Sequence, residues 1–215
     1  MEFEIARTDP HHAYNLLIGL VVPRPVALVT TVDLEGRVNA APFSAYNYVS
    51  AEPPVVALGI ANRPDEEGVE KDTSRNIRAT GEFVVNVVNE PLAEAMNVCA
   101  VAFPPGESEV AAAGLATVPS TLVKPPRIAL APAHLECRLL QVIDVGNTHI
   151  VLGKVVLFHV DDEFVDPKGP YIRADAMHNI GRMNGGGNYV RTRGAGFRMD
   201  RIPYAEWKKS HPPEA

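Results

Sequence analysis

Cysteine is scarce: the 215 residues contain two, Cys99 and Cys137, far apart and without metal-type spacing. No disulfide framework or zinc site is expected, and two thiols suit a reducing cytoplasm. A basic excess is missing as well. Twenty Lys and Arg stand against 26 Asp and Glu, a formal net charge of −6, which argues against broad nucleic-acid or membrane-surface binding. No apolar run approaches the roughly 18 residues a membrane span needs, and the acidic opening "MEFEIARTDP" does not read as a signal peptide. The expectation is a cytoplasmic protein with neither nucleic acid nor membrane as partner.

Hydrolytic and metal signatures are absent too. There is no G-x-S-x-G elbow, and Ser44 in "PFSAYN" has no turn chemistry around it. There is no H-E-x-x-H, and His11 and His12 are adjacent, so a helix would point them in different directions. His134, His149 and His159 fall in strand-like stretches and read as structural. "GGGN" at 185–188 lacks the spacing and the preceding strand of a dinucleotide-binding turn. No catalytic side chain and no metal ligand is assigned.

What is present is the composition of a folded chain, 46% hydrophobic and 21% charged, long enough to bury a sizeable core. With no repeat and no low-complexity linker, residues 1–215 read as one domain. Its core covers about 14–193, a proline-punctuated excursion 101–128 crosses the surface, and a polar tail occupies 203–215. "HHAYNLLIGL" predicts a short helix, with Tyr14, Leu17 and Ile18 near helical spacing. "RPVALVTTVD" and "EFVVNVVN" predict strands, and "EPLAEAMNVCA" a helix with Pro91 in its first turn. Pro104, Pro105, Pro119, Pro125 and Pro126 mark the excursion around the Ala-rich helix "SEVAAAGL". "AHLECRLLQVIDVGNTHIVLGKVVLFHVD" predicts two long strands joined near "VGN". Short strands with few helices favour a β barrel, since a doubly wound fold would alternate strands with full-length helices.

Two stretches carry candidate chemistry. In "EKDTSRNIRATGEFVVNVVN" (70–89), Lys71, Asp72, Thr73, Ser74, Arg75 and Asn76 precede a strand. They read either as a helix capped by Thr73 or Asp72 and ended at Gly81, or as an anion site using Lys71, the hydroxyls and the opening amides. Thr30, Thr31, Ser44 and Asn47, among small residues, read either as a tight barrel corner or as the bed of a flat ligand. Between 182 and 209, seven basic residues meet two acidic ones, Asp200 and Glu206. That segment is either a solvated tail or a phosphate-facing one.

Together, "PRPVALVTTVDLEGRVNAAPFSAYNYVSAEPPVVALGI" and "KDTSRNIRATGEFVVNVV" closely resemble the flavin reductase-like family of FMN-binding split barrels. That family includes flavoredoxins and the reductase components of two-component monooxygenases. The likeness runs from about Tyr14 to Arg193, and "HNIGRMNGGGNYVRT" looks like the family's Gly-rich Arg segment, with an extra Asn–Gly. The resemblance implies a mainly-β fold, a six-stranded Greek-key split barrel with short helical additions, forming a homodimer with the flavin at the subunit interface. It implies FMN, or FAD, as cofactor and NAD(P)H as electron donor. Thr30 and Thr31 would lie beside the flavin, and Ser44, Ala45, Tyr46 and Asn47 along the ring edge. Lys71, Thr73 and Asn76 would surround the phosphate, with Arg75 a weaker candidate and Arg182 near the open face. The implied function is hydride transfer from NAD(P)H to flavin, electrons passing to an acceptor or a monooxygenase partner. The alternative is a flavoredoxin-like carrier reduced by a protein partner. Either way the cofactor supplies the reactive chemistry, which suits the lack of nucleophiles.

Overall fold

The computed structural model describes residues 1–210 apart from 64, 65, 67, 105, 106, 170 and 195, with Ala205 described in backbone only. Pro105 and the last five residues of the expected tail lie outside the described residues. The chain runs through α1 (Pro10–Leu20), β1 (Arg24–Pro25), β2 (Ala27–Val32), β3 (Val38–Phe43), β4 (Tyr46–Ala51) and β5 (Pro54–Ala61). Next come α2 (Asp72–Thr80), β6 (Glu82–Val87), α3 (Ala93–Val98), α4 (Glu109–Ala112), β7 (Thr117–Val118) and β8 (Arg127–Ile128). The long hairpin of β9 (Ala133–Val145) and β10 (Thr148–Val160) precedes β11 (Ile180–Arg182), β12 (Tyr189–Arg191) and α5 (Tyr204–Ser210).

The principal sheet has the order β3-β2-β6-β9-β10-β5-β4, antiparallel throughout. Its two edges, β3 and β4, are consecutive in the chain, with only Ser44 and Ala45 between them. The sheet must therefore curl until its edges meet, which makes a split barrel closed by one sharp corner. Counting 38–51 as a single bent strand gives the expected six; counting its halves gives seven. A short three-stranded sheet, β1-β11-β12, stands beside this corner, since β1 immediately precedes β2.

Strand β2 is buried along its whole length, which is why it reads as an unbroken run rather than an alternating one. One face carries Ala27 and Val29 into a core with Phe43, Leu58, Ile60, Phe83, Val85 and Val151, closed by Ile77 of α2. The other carries Val26 and Leu28 against Val88, Leu92, Met96 and Ile128, beneath α3 and the excursion. Full burial of a Leu or Phe contributes roughly 1.5–3 kcal/mol over its exposed state. Gly153 belongs to the inner core's design: a Cβ there would sit 2.2 Å from Phe83 Cζ, so only glycine admits the ring.

The excursion has little sheet of its own beyond β7–β8, so polar side chains hold it down. Glu136, fully buried, accepts from the amides of Thr121 at 2.7 Å and Leu122 at 2.6 Å and lies 2.6 Å from His159 Nε2. Asn86 accepts from Ile128 N at 2.7 Å and donates to Leu28 O at 2.8 Å. Helix α2 ends at Gly81, whose φ of 72° is left-handed, as its sequence predicts. Its start differs from the expected cap: Lys71 is the N-cap, and no side chain caps that end. Thr73 is drawn inward instead, as described below.

Candidate functional site

The register of β2 and β3 assembles the site. Thr31 pairs with Asn39 and Ala27 with Phe43, so Asn39, Ala41 and Phe43 share the face of β3 that α2 overlies. Asn76 Nδ2 donates to Thr31 Oγ1 at 3.1 Å. The Asn39 amide is satisfied with Oδ1 accepting from Thr73 Oγ1 at 3.0 Å and Nδ2 donating to Glu109 Oε1 at 3.3 Å. Thr31, Thr73, Asn76 and Asn39 are thus one polar network pinning the first turn of α2 to the barrel. Thr31, Thr73 and Asn76 are all buried, so each hydrogen bond also avoids the 1–3 kcal/mol cost of an unsatisfied group.

Three arginines surround α2, and all are committed. Arg63 bonds Asp72 at 2.9 Å and reaches Glu66 at 3.6 Å. Arg75 pairs with Asp72, and Arg78 pairs with Asp144 and lies 3.2 Å from Glu70. Lys71 is different. It is partly buried, its Nζ stands 6.0 Å from the centre of the Phe43 ring, and no carboxylate partners it among the described residues. Burial, helped by the charge of Arg63, lowers its pKa. A cation held out of water beside an uncapped helix start is a place where an anion lowers the free energy.

The corner makes the second half. Ala45 O accepts from Gly59 N at 2.7 Å, and a Cβ on Gly59 would lie 3.0 Å from Ala45 Cβ. Glycine in β5 thereby seats the bend closely. Arg24 fixes it from the other side, donating to Ile18 O at 2.6 Å, Val21 O at 2.8 Å and Met183 O at 2.6 Å, with Nε 3.4 Å from Ser44 Oγ. Ser44, Phe43, Asn97, Arg182 and Tyr189 line a cleft of about 200 Å³, where the Arg182 guanidinium lies 4.6 Å above the Tyr189 ring. Phe43 belongs to both halves.

Of the residues expected from sequence, Thr31, Lys71, Thr73 and Asn76 are brought together, and Ser44 and Arg182 meet at the cleft. Thr30 faces away from Thr31: its hydroxyl donates to Pro126 O at 2.5 Å and accepts from Asn86 at 3.3 Å. Tyr46 packs against the inner core, and burial pushes its phenol up to about 12. Asn47 is exposed and accepts from its neighbour's amide, Tyr48 N, at 2.9 Å. Asn39, Gly59, Arg24 and Glu109 were missed. Asn39 and Arg24 stood inside the quoted motifs, but Glu109 comes from the excursion, 70 positions along from Asn39 in sequence, and had no local signal. Among the described residues no cluster of His, Cys, Asp and Glu could hold a metal, and no helix is long and apolar enough to cross a membrane.

These residues fit a flavin phosphate: a lysine without a carboxylate partner among the described residues, an uncapped helix start, and a strand face with small Ala41 leading about 17 Å along β3 to the corner. Fold and site together define a split-barrel flavoprotein. The chain belongs to the flavin reductase-like family, whose domain model, "Flavin reductase like domain", matches residues 19–180. A protein of Halalkalibacterium halodurans is 43% identical over 194 residues, 87% of this chain and 90% of its own. The nitrilotriacetate monooxygenase component B of Bacillus cereus superposes with a TM-score of 0.87 at 34% identity, covering 93% of this chain and 98% of that one. The 2-nitrobenzoate 2-nitroreductase of Pseudomonas fluorescens gives 0.83 at 35% identity, over 95% and 97%. The chain is thus related to flavin oxidoreductases.

Proposed function

We propose that this protein binds FMN and accepts hydride onto it from NAD(P)H, the electrons then passing to an acceptor or a monooxygenase partner. The carrying observation is Lys71, a partly buried cation with no carboxylate partner among the described residues, at the start of α2. Flavin, when bound, supplies the hydride-accepting chemistry itself. The protein's share is binding and orientation. Lys71 and the first amides of α2 hold the phosphate, with Asn76 and Thr73 fixing that turn against Thr31 and Asn39. The Ser44–Ala45 bend, seated on Gly59 and buttressed by Arg24, presents backbone groups to the ring edge. The cleft under Arg182 leaves room for a second planar molecule, and holding it against the ring is catalysis by positioning. Likeness to a monooxygenase component B favours a monooxygenase partner.

Mixing flavin-loaded protein with NADH, and separately with NADPH, in a stopped-flow instrument should bleach the visible flavin band with at least one nucleotide. Tight FMN binding without bleaching by either would sink the reductase reading and leave the electron-carrier one.

We also propose a homodimer with the flavin at its interface. Helix α1 buries none of its residues, although Tyr14, Leu17 and Leu20 are apolar. Tyr48 and Val49 of the edge strand β4, beside the site's corner, are exposed as well. Apolar area of this kind, next to a binding corner, is what a second copy would cover.

A further inference from the structure

The charge around the start of α2 does not balance for a phosphate. A phosphate monoester brings about −1.5 to −2 charges at neutral pH, while the cradle's uncommitted cation among the described residues is Lys71 alone, Arg63, Arg75 and Arg78 being paired. The excursion adds a further negative group. Glu109, partly buried on α4, has Oε2 3.3 Å from Ala40 N and Oε1 3.3 Å from the Asn39 amide, whose other end holds Thr73. One amide side chain therefore separates this carboxylate from the first turn of α2.

We infer that Glu109 is the proton-holding residue of the phosphate cradle, so that FMN binding takes up a proton at this side chain. The inference rests on the flavin reading above. The groups facing Glu109 leave it short of positive charge: Asn39 and the Ala40 amide on β3, Asp72 at the start of α2, the Cys99 thiol 3.9 Å from its carbonyl oxygen, and Arg63. Burial already raises its pKa, with Asp72 adding to the rise, while its own amide, that of Ala40 and the charge of Arg63 offset part of it. A phosphate arriving at Lys71 adds a second like-charge neighbour, which moves the carboxyl further toward its neutral form. Protonated, Glu109 no longer opposes the anion, and the remaining charges are Lys71 and the phosphate.

The test is calorimetric titration of flavin-free full-length protein with FMN, in buffers of differing ionisation heat. Riboflavin, which lacks the phosphate, is the reference. Above about pH 7, where the phosphate has already lost its second proton, wild type should take up a proton per FMN approaching about one. Riboflavin should take up none. Glu109→Gln, which keeps an acceptor for Ala40 N, should abolish the uptake and bind FMN roughly tenfold more tightly than wild type near pH 8. Equal uptake in wild type and variant, or equal uptake with riboflavin, overturns the inference. Should the variant not fold, wild type still decides: its affinity for FMN relative to riboflavin should fall between about pH 7 and pH 8, and a flat or rising ratio overturns the inference. A wild type that binds no flavin overturns the flavin reading itself, whereas FMN binding without proton uptake overturns only the role of Glu109.

Discussion

At the scale of single residues, the proposed phosphate site is a contrast between one lysine and three arginines. All four sit around α2, and the sequence offers Lys71, with Arg75 a weaker candidate, without showing what either is paired to. Pairing separates them: Asp72 takes Arg75 within the helix and Arg63 from the loop before it, Glu70 and Asp144 take Arg78, and Lys71 is left among the described residues. Lys71→Ala should therefore weaken FMN binding by about 1–3 kcal/mol, or roughly fivefold to 150-fold, with little change in melting temperature. Thr73→Ala should weaken FMN binding too but also lower the melting temperature, since its hydroxyl ties α2 to Asn39. Titration of flavin-free protein and thermal unfolding distinguish the two. Unchanged affinity in both variants would remove the phosphate from this helix.

At the scale of elements, the excursion matters most, for it carries Glu109 and packs over the outer face of β2. Glu136 clamps it through two backbone amides and His159. Burial would raise the Glu136 pKa, but the Thr121 amide, His159 and the Leu122 amide outweigh it and hold the carboxyl below its ordinary value. A carboxyl depressed in the folded state contributes stability above its unfolded pKa and loses it as pH falls through the folded one. The clamp should hold above about pH 5 and weaken progressively as pH falls below the ordinary glutamate value of about 4.3 and through the lower folded one. Limited proteolysis across that range should show cleavage near Thr121–Lys124 rising as pH falls, and Glu136→Gln should be cleaved readily at every pH. Equal resistance in wild type and variant would mean that the excursion is held by its apolar contacts alone. How legible these elements were depends on where their causes lie. The strands and the Gly81 cap follow from local pattern, whereas the start of α2 does not. Thr73 is a good cap in isolation, but a buried partner on β3 competes for its hydroxyl and wins.

For the whole molecule, the proposed homodimer has a direct test. Size-exclusion chromatography with light scattering should give about twice the mass of one chain. Leu17→Glu on α1 should shift the population to monomer and weaken flavin binding together, because a charge in a buried apolar interface is costly. A monomeric wild type, or a monomeric variant with full flavin affinity, would separate the site from the interface.

The sequence by itself determined the strands, the mainly-β barrel and the family likeness, because each is written in contiguous patterns: strand runs, "NAAPFS", "KDTSRNI". Tertiary structure decided which groups are free to act. Thr30 and Thr31 are neighbours in the chain, yet they face opposite sides of one strand, and only Thr31 meets α2. Arg78 looks available until Asp144, 66 positions away in sequence, is seen beside it, and Glu109 joins the site only because the excursion folds back onto β3. The reason is physical: a motif fixes which groups the chain carries, but charge pairing and burial, which set what a group can do, are made by residues far away in sequence.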